Sequence, residues 1–182
     1  MIPLLEQHHS DLDRLCRKHL VRRLEVFGSA SDGSFKAESS DLDFLVEYLP
    51  DADQKPADAY FGLLFDLEDL FQRKVDLVMD RAIRNPYFRA GYGSDEMLHA
   101  AIERELMIVG EAMTRLSKAA PELTDQLPEK RQVIAFRNIL VHGYDIVDDA
   151  VVWDIIQNHL PLLVKRIDEV SAPKTDKEET EG

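Results

Sequence analysis

Apolar positions along the chain follow a helical period in some stretches and alternate in others. Leu4, Leu5, Leu12 and Leu15 fall near helical spacing and predict a helix over residues 1–20, with Arg14, Arg17 and Lys18 gathered at its end. Leu24 to Phe27 predicts a short strand closed by Gly28-Ser29, and residues 30–40 are turn-rich. Asp41 to Tyr48 alternates and then turns apolar, as a strand with one exposed end does. A polar loop with two prolines over 49–58 precedes a helix over 59–72, in which Phe61, Leu64, Phe65, Leu67, Leu70 and Phe71 recur at helical spacing. Lys74 to Met79 predicts a third strand. After a polar, aromatic stretch at 80–94, Ser94 can cap a helix in which Leu98, Ile102, Leu106, Val109, Met113 and Leu116 step by three and four. Pro121 ends that segment. Pro128 suits the first turn of a helix that runs to His142 and stops at Gly143. Asp148 or Asp149 can cap a last helix, carrying Val152, Trp153, Ile155, Ile156, Leu160, Leu163, Val164 and Ile167, which Pro161 should bend.

The order of these elements predicts an α+β protein of two modules. Residues 1–90 form a small mixed sheet with helices, residues 91–170 a helical bundle, and residues 171–182 a disordered acidic tail. The 182 residues are 45% hydrophobic, which suffices for packed cores, and 8 Gly and 8 Pro exclude collagenous or low-complexity chains. No apolar run approaches a membrane span, and the N-terminus lacks the pattern of a secretory leader. A single cysteine, Cys16, excludes an internal disulfide and fits a cytoplasmic location. The net charge of −13 makes the chain as a whole a poor non-specific ligand for DNA or RNA. No DNA or membrane partner is expected, and any polyanion needs a local basic site or bound cations.

Asp-x-Asp occurs three times, at 11/13, 41/43 and 51/53. In so acidic a chain such pairs are mostly solvated surface, and context separates them. Asp41 and Asp43 open an apolar strand, LDFLVEY, where i and i+2 share one face. Carboxylates so paired can bind a hard cation such as Mg²⁺. Asp76 lies amid Val75, Leu77 and Val78, where a carboxylate must be paired, metal-bound or half-exposed. If the two strands are neighbours, the three carboxylates converge. Gly28-Ser29 leaves a strand for a turn whose N–H groups and hydroxyl can hold phosphate oxygens.

Strand, Gly-Ser, Asp-x-Asp, helix and a later Asp in FGSASDGSFKAESSDLDFLV…VDLV resemble the minimal nucleotidyltransferases of the polymerase-β superfamily. The resemblance implies two-metal nucleotidyl transfer from an NTP. By that resemblance ATP would be the nucleotide and Mg²⁺ the cofactor, with Asp41, Asp43 and Asp76 as metal ligands and catalytic carboxylates, and Gly28 and Ser29 as the nucleotide-binding turn. Two departures stand out: Asp32 where the family often has Arg, and a gap before Asp-x-Asp one residue longer than usual.

In the helical half, RNILVHGY sets Asn138 and His142 four apart on one helix face, with Arg137 one step round. An Arg for phosphate and a His for proton transfer suit RNA cleavage, and a capping His beside a surface Arg would look the same. With LMIVGEAMTRLS before it and VVWDIIQNHLPLL after it, the segment resembles the HEPN family. Its HepT-type ribonucleases carry Arg-x4-His-x-Tyr, matched here by Arg137, His142 and Tyr144, with Asn138 in a supporting position. The resemblance implies catalytic Arg137 and His142, a site formed in a homodimer, and an MntA-like antitoxin that adds AMP to the motif tyrosine, Tyr144. The chain thus resembles a toxin–antitoxin pair fused end to end.

A full HepT-like protein has another long helix before the segment that starts here near Ser94, and that helix has no counterpart in this chain. The bundle is then completed by residues 1–20, by another chain, or not at all, and a homo-oligomer through the helical half is expected. Three functions follow: tyrosine AMPylation; an active RNase, binding RNA and held in check by the other half; and a non-catalytic module that binds a partner.

Overall fold

The computed structural model describes residues 2–37, 40–79, 96–142 and 149–171, with the side chains of Asp32, Glu96, Leu98, His99 and His142 excepted. Two helices, α1 (Pro3–Gln7) and α2 (His9–Lys18), stand where one was expected. They part at His8, whose φ of −103° and ψ of 16° are not helical. Strand β1 (Val21–Phe27) starts three residues earlier than its apolar run suggests, because Val21 packs inward while Arg22 and Arg23 face out. A single turn, α3 (Ser29–Asp32), follows Gly28 inside the turn-rich stretch. Strand β2 (Leu42–Tyr48) leads through a 3₁₀ turn at Pro50–Gln54 to α4 (Pro56–Phe71), and β3 (Val75–Met79) ends the sheet.

The sheet order is β1-β2-β3, with β2 antiparallel to β1 and parallel to β3. Parallel neighbours need a crossover, and α4 supplies it. Along β2, Leu42, Phe44, Val46 and Tyr48 are buried, while Asp43, Leu45 and Glu47 on the other face are half-buried. The buried face packs with Leu24 and Val26 of β1 and Val75 and Leu77 of β3. Helix α4 covers it and buries Ala57, Tyr60, Phe61, Leu63, Leu64, Leu67 and Phe71. Each large side chain so buried contributes roughly 1.5–3 kcal/mol.

The helical half consists of α5 (Glu96–Ala119), a short α6 (Pro121–Thr124), α7 (Lys130–His142), α8 (Asp149–Asp154) and α9 (Leu160–Ser171). Between α8 and α9 the chain is π-helical over Ile155–His159. Pro161 has no N–H to return to the preceding turn, and the widened stretch lies directly before it. Leu106 and Met113 of α5 are buried, whereas Leu116 faces out. The expected Ser94 cap and Gly143 stop, the proposed boundary at 90/91 and the tail beyond residue 171 lie outside the described residues.

Helix α2 packs against β1 and α4. Helix α4 serves both halves: Phe61 meets Phe136 of α7 edge-on, with ring centroids 6.1 Å apart, and one continuous core runs from Leu5 and the sheet through α4 to Leu106, Phe136, Leu140, Val151 and Val152. Asp154, at the end of α8, is buried, and its Oδ2 accepts the Ala57 N–H at 3.0 Å. That N–H belongs to the first turn of α4, which has no cap of its own, so the helical half caps a helix of the other half. Asn158 donates to the second Asp154 oxygen at 2.6 Å. Further along α4, Arg131 of α7 pairs with Asp69 at 2.9 Å and Glu68 at 3.3 Å, and lies over the Phe65 ring.

Asp154→Ala should therefore cost about 1–3 kcal/mol, through an uncapped, buried N–H. Denaturant unfolding checks this against exposed Asp168→Ala, and equal losses would contradict the cap. Asp66 of α4 accepts from Lys18 at 2.6 Å and from His19. Burial alone would raise the Asp66 pKa, but these two partners outweigh it and hold it below the ordinary value. A lowered carboxylate pKa contributes stability above the unfolded pKa and loses it as pH falls through the folded one. Asp66→Asn should cost up to about 1 kcal/mol at pH 7, and the difference from wild type should shrink as the pH falls below the ordinary carboxylate range. Thermal melts across that range measure it.

Candidate functional site

The carboxylates lie on the sheet face opposite α4. Asp43 is the second residue of β2, and its parallel partner on β3 is Asp76, so the two share a register position and a face. Asp41 precedes β2 by one residue and is exposed. On the other side Asp43 pairs with Phe27, the last residue of β1, which places Gly28 at the edge of the cluster. Gly28 has φ +61° and ψ −144°, and a Cβ there would collide with the Asp43 carboxylate. Glycine is therefore required twice, by conformation and by space. Ser29 begins α3, and the Ser31 hydroxyl and N–H both donate to the Gly28 carbonyl at 3.0 Å, which fixes the turn.

Lys74 completes the cluster, and the motif reading did not single it out. Its Nζ lies 2.9 Å from Asp76 Oδ1, 3.0 Å from Asp76 Oδ2 and 3.7 Å from Asp41 Oδ2. Two residues before Asp76, it shares that residue's side of the strand, which is the signal the sequence offered. Burial raises the Asp43 pKa first, repulsion from Asp76 and then Asp41 adds to it, and Lys74 pulls it back. Burial opposes the charge on Lys74, but Asp76 and Asp41 outweigh it and push its pKa up. Arg73 fixes the approach to Asp41, donating to the Ser40 carbonyl at 2.9 Å and the Ala37 carbonyl at 3.0 Å with its guanidinium over Phe35.

Among the described residues no three His, Cys, Asp or Glu side chains stand as a ready-made metal group. The donor set still fits a hard cation. It is all carboxylate oxygen, its charges repel one another, and an ammonium already bridges two of its members.

In the helical half, Arg137 and Asn138 lie next to each other on α7, and His142 is its last residue. Arg137 donates to Asn138 Oδ1 at 3.0 Å and pairs with Glu111 of α5 at 3.1 Å. Gly110 allows the approach, since a Cβ there would collide with the Arg137 side chain. Glu111 and Gly110, both inside the quoted LMIVGEAMTRLS, were not read as site residues. The His142 side chain and Tyr144 lie outside the described residues. A cavity of about 220 Å³ separates α7 from β3, and Asp76 and Lys74 line it together with Asn138.

A nucleotidyltransferase domain model matches residues 12–93, and a ribonuclease HepT-like model matches residues 79–170, half of the chain. A Methanocaldococcus jannaschii protein named "Putative protein adenylyltransferase" is 37% identical over 81 residues, 44% of this chain and 79% of that protein. The chain belongs to both families. A second protein of that organism, named "Putative RNase", is 30% identical over 75 residues, 41% of this chain and 68% of its own length. Another "Putative RNase", from Caldanaerobacter subterraneus subsp. tengcongensis, is 33% identical over 76 residues, 42% of this chain and 67% of its own length. No solved structure matches. Among the described residues no helix is long and apolar enough to cross a membrane. The nucleotidyltransferase half carries the carboxylate cluster, and the HepT-like half carries Arg137, Asn138 and His142.

Gly28→Ala should destabilise the chain by about 1–3 kcal/mol, since it adds a collision to left-handed strain. Gly33, with φ +86°, has nothing within 4 Å of a built Cβ, so Gly33→Ala carries strain alone. Thermal unfolding of the two variants compares them, and a smaller loss in Gly28→Ala would refute the Asp43 contact.

Proposed function

We propose that the chain is a Mg²⁺-dependent protein adenylyltransferase that transfers AMP from ATP to Tyr144 of its own HepT-like half. The observation that carries this is the register pairing of Asp43 with Asp76, with Asp41 and Gly28 at their side. Asp41 and Asp43 would hold the metal, and Gly28 and Ser29 would hold the triphosphate through the turn. When bound, Mg²⁺ supplies charge neutralisation for the polyphosphate. The tyrosine oxygen attacks the α-phosphorus, the bond between that phosphorus and the bridging oxygen to the β-phosphate breaks, and pyrophosphate leaves. The phenolic proton passes to Asp76. Lys74, already bound to Asp76 and Asp41, keeps both carboxylates oriented before the nucleotide arrives.

Tyr144 lies six residues after Asn138 in the chain. Asn138 lines the cavity beside Asp76, His142 follows one helical turn (about 6 Å) further on, and two residues span at most about 7 Å more. AMP on Tyr144 adds charge and bulk beside Arg137 and would keep that guanidinium from an RNA phosphate.

A second function, an RNase held in check by its own chain, is favoured by the Arg137–Glu111 pair, which already neutralises the catalytic guanidinium. Exposed Ile108, Leu162, Val164 and Ile167 support self-association through the HepT-like half.

Intact mass after incubation with Mg²⁺ and ATP should rise by one AMP, mapped to Tyr144. Tyr144→Phe should stay unmodified, and Asp41→Asn with Asp43→Asn should lose Mg²⁺-dependent ATP binding with little change in folding. AMP placed elsewhere, or unchanged ATP affinity in the double variant, would refute the proposal. RNase activity that appears in Tyr144→Phe and vanishes on adding His142→Ala would establish the second function.

A further inference from the structure

The cavity between β3 and α7 faces two ways. At one end Lys74 and Asp76 join it to the carboxylate cluster. Its walls are apolar, with Leu64 of α4 on one side and Ala135 and Ile139 of α7 on the other. Ala135, Asn138 and Ile139 stand at i, i+3 and i+4, so one face of α7 forms that wall. Asn138 is the amide in it; Tyr60 and Glu68 of α4 also line it, the first with its hydroxyl on the Leu77 carbonyl and the second paired with Arg131. The Asn138 Oδ1 accepts from Arg137, which leaves the amide NH₂ as a donor.

A mostly apolar slot with an amide donor on its wall and charge at its mouth matches a flat heterocycle with ring-nitrogen acceptors, joined to a polyphosphate. At about 220 Å³ the slot is smaller than the roughly 300–1,000 Å³ of sites that enclose drug-sized ligands. It has room for a base, while the phosphates must lie outside it, toward Gly28 and Asp43.

We propose that this cavity seats the nucleobase of the NTP, with Asn138 hydrogen-bonding its edge, so that the HepT-like half builds one wall of the nucleotide site. This rests on the nucleotidyl transfer proposed above. Asn138 then has a role in the transferase half as well as beside Arg137, and nucleotide binding responds to the docking of α7 on α4.

The test is calorimetry on the full chain with Mg²⁺, titrating ATP and, separately, inorganic tripolyphosphate. Ala135→Phe fills the slot and should weaken ATP binding about tenfold or more while leaving tripolyphosphate affinity as in wild type. Asn138→Ala should weaken ATP binding by a smaller factor, about threefold to tenfold. Photolabelling of wild type with 8-azido-ATP, which needs no variant to fold, should mark the peptide spanning residues 132–142. Unchanged ATP affinity in a folded Ala135→Phe, or label confined to peptides outside β3, α4 and α7, would overturn the base seat. So would equal affinity of wild type for ATP and tripolyphosphate, with the transferase function intact. Binding of neither compound would remove the transferase function and the base seat with it.

Discussion

Helix α4 buries side chains on two sides, and the positions of both functional constellations follow from that. Toward the sheet, Leu64, Leu67 and Phe71 cover the apolar face of β2 and β3, while Tyr60 donates its hydroxyl to the Leu77 carbonyl at 2.9 Å. The crossover keeps β3 parallel to β2 and so sets Asp76 opposite Asp43. Toward the helical half, Phe61 takes the edge of Phe136, and the first turn takes the carboxylate of Asp154. A helix with one apolar stripe would have left the two modules joined only by their linker. Because α4 belongs to both cores, α7 faces β3 across the cavity, and Asn138 lines that cavity together with Asp76.

The electrostatics of the open face follow from a conflict. Three carboxylates on one sheet edge repel, in a chain whose net charge is −13. One ammonium, Lys74, bridges two of them and moderates the third, but it cannot neutralise all three. Elsewhere the acidic residues find partners: Arg131 takes Glu68 and Asp69, Arg137 takes Glu111, and Arg166 takes Glu129. The cluster at Asp41, Asp43 and Asp76 keeps surplus negative charge at the mouth of a cavity. A site with those properties favours a cation and a ligand that brings its own charge with it.

The strands and their carboxylates were legible because period-two alternation is a local property. The sequence placed Asp43 and Asp76 inside short apolar runs, and pairing brought them together as that placement implied. Gly28 was legible as a turn, but its contact with Asp43 depends on the β1–β2 register, which no local pattern carries. Lys74 was overlooked because a lone Lys before a strand looks like an end residue, and only the neighbouring strand shows that it reaches Asp41 as well. The break at His8 escaped notice because the leucines on either side keep helical spacing across it. The two-sided burial of α4 was hidden for a different reason. Its sequence is apolar nearly all round, which a helix under a sheet and a helix between two layers share, and only the other half of the chain distinguishes them.

Fusion changes what the two families' residues can do for one another. In two separate proteins, a transferase must find its target tyrosine by diffusion, and the nucleotide site must be complete before the target arrives. Here the helix that carries Arg137, Asn138 and His142 is already docked, and its Asn138 face shares a cavity with Asp76. The effective concentration of one half at the other is set by a packed interface instead of by encounter. That interface is held by the Asp154 cap, the Arg131 ion pairs and the Phe61–Phe136 contact, none of which involves the carboxylate cluster. Docking and the carboxylate cluster are therefore separable: a change that loosens α7 from α4 alters access to the shared cavity while leaving Asp41, Asp43 and Asp76 on the sheet.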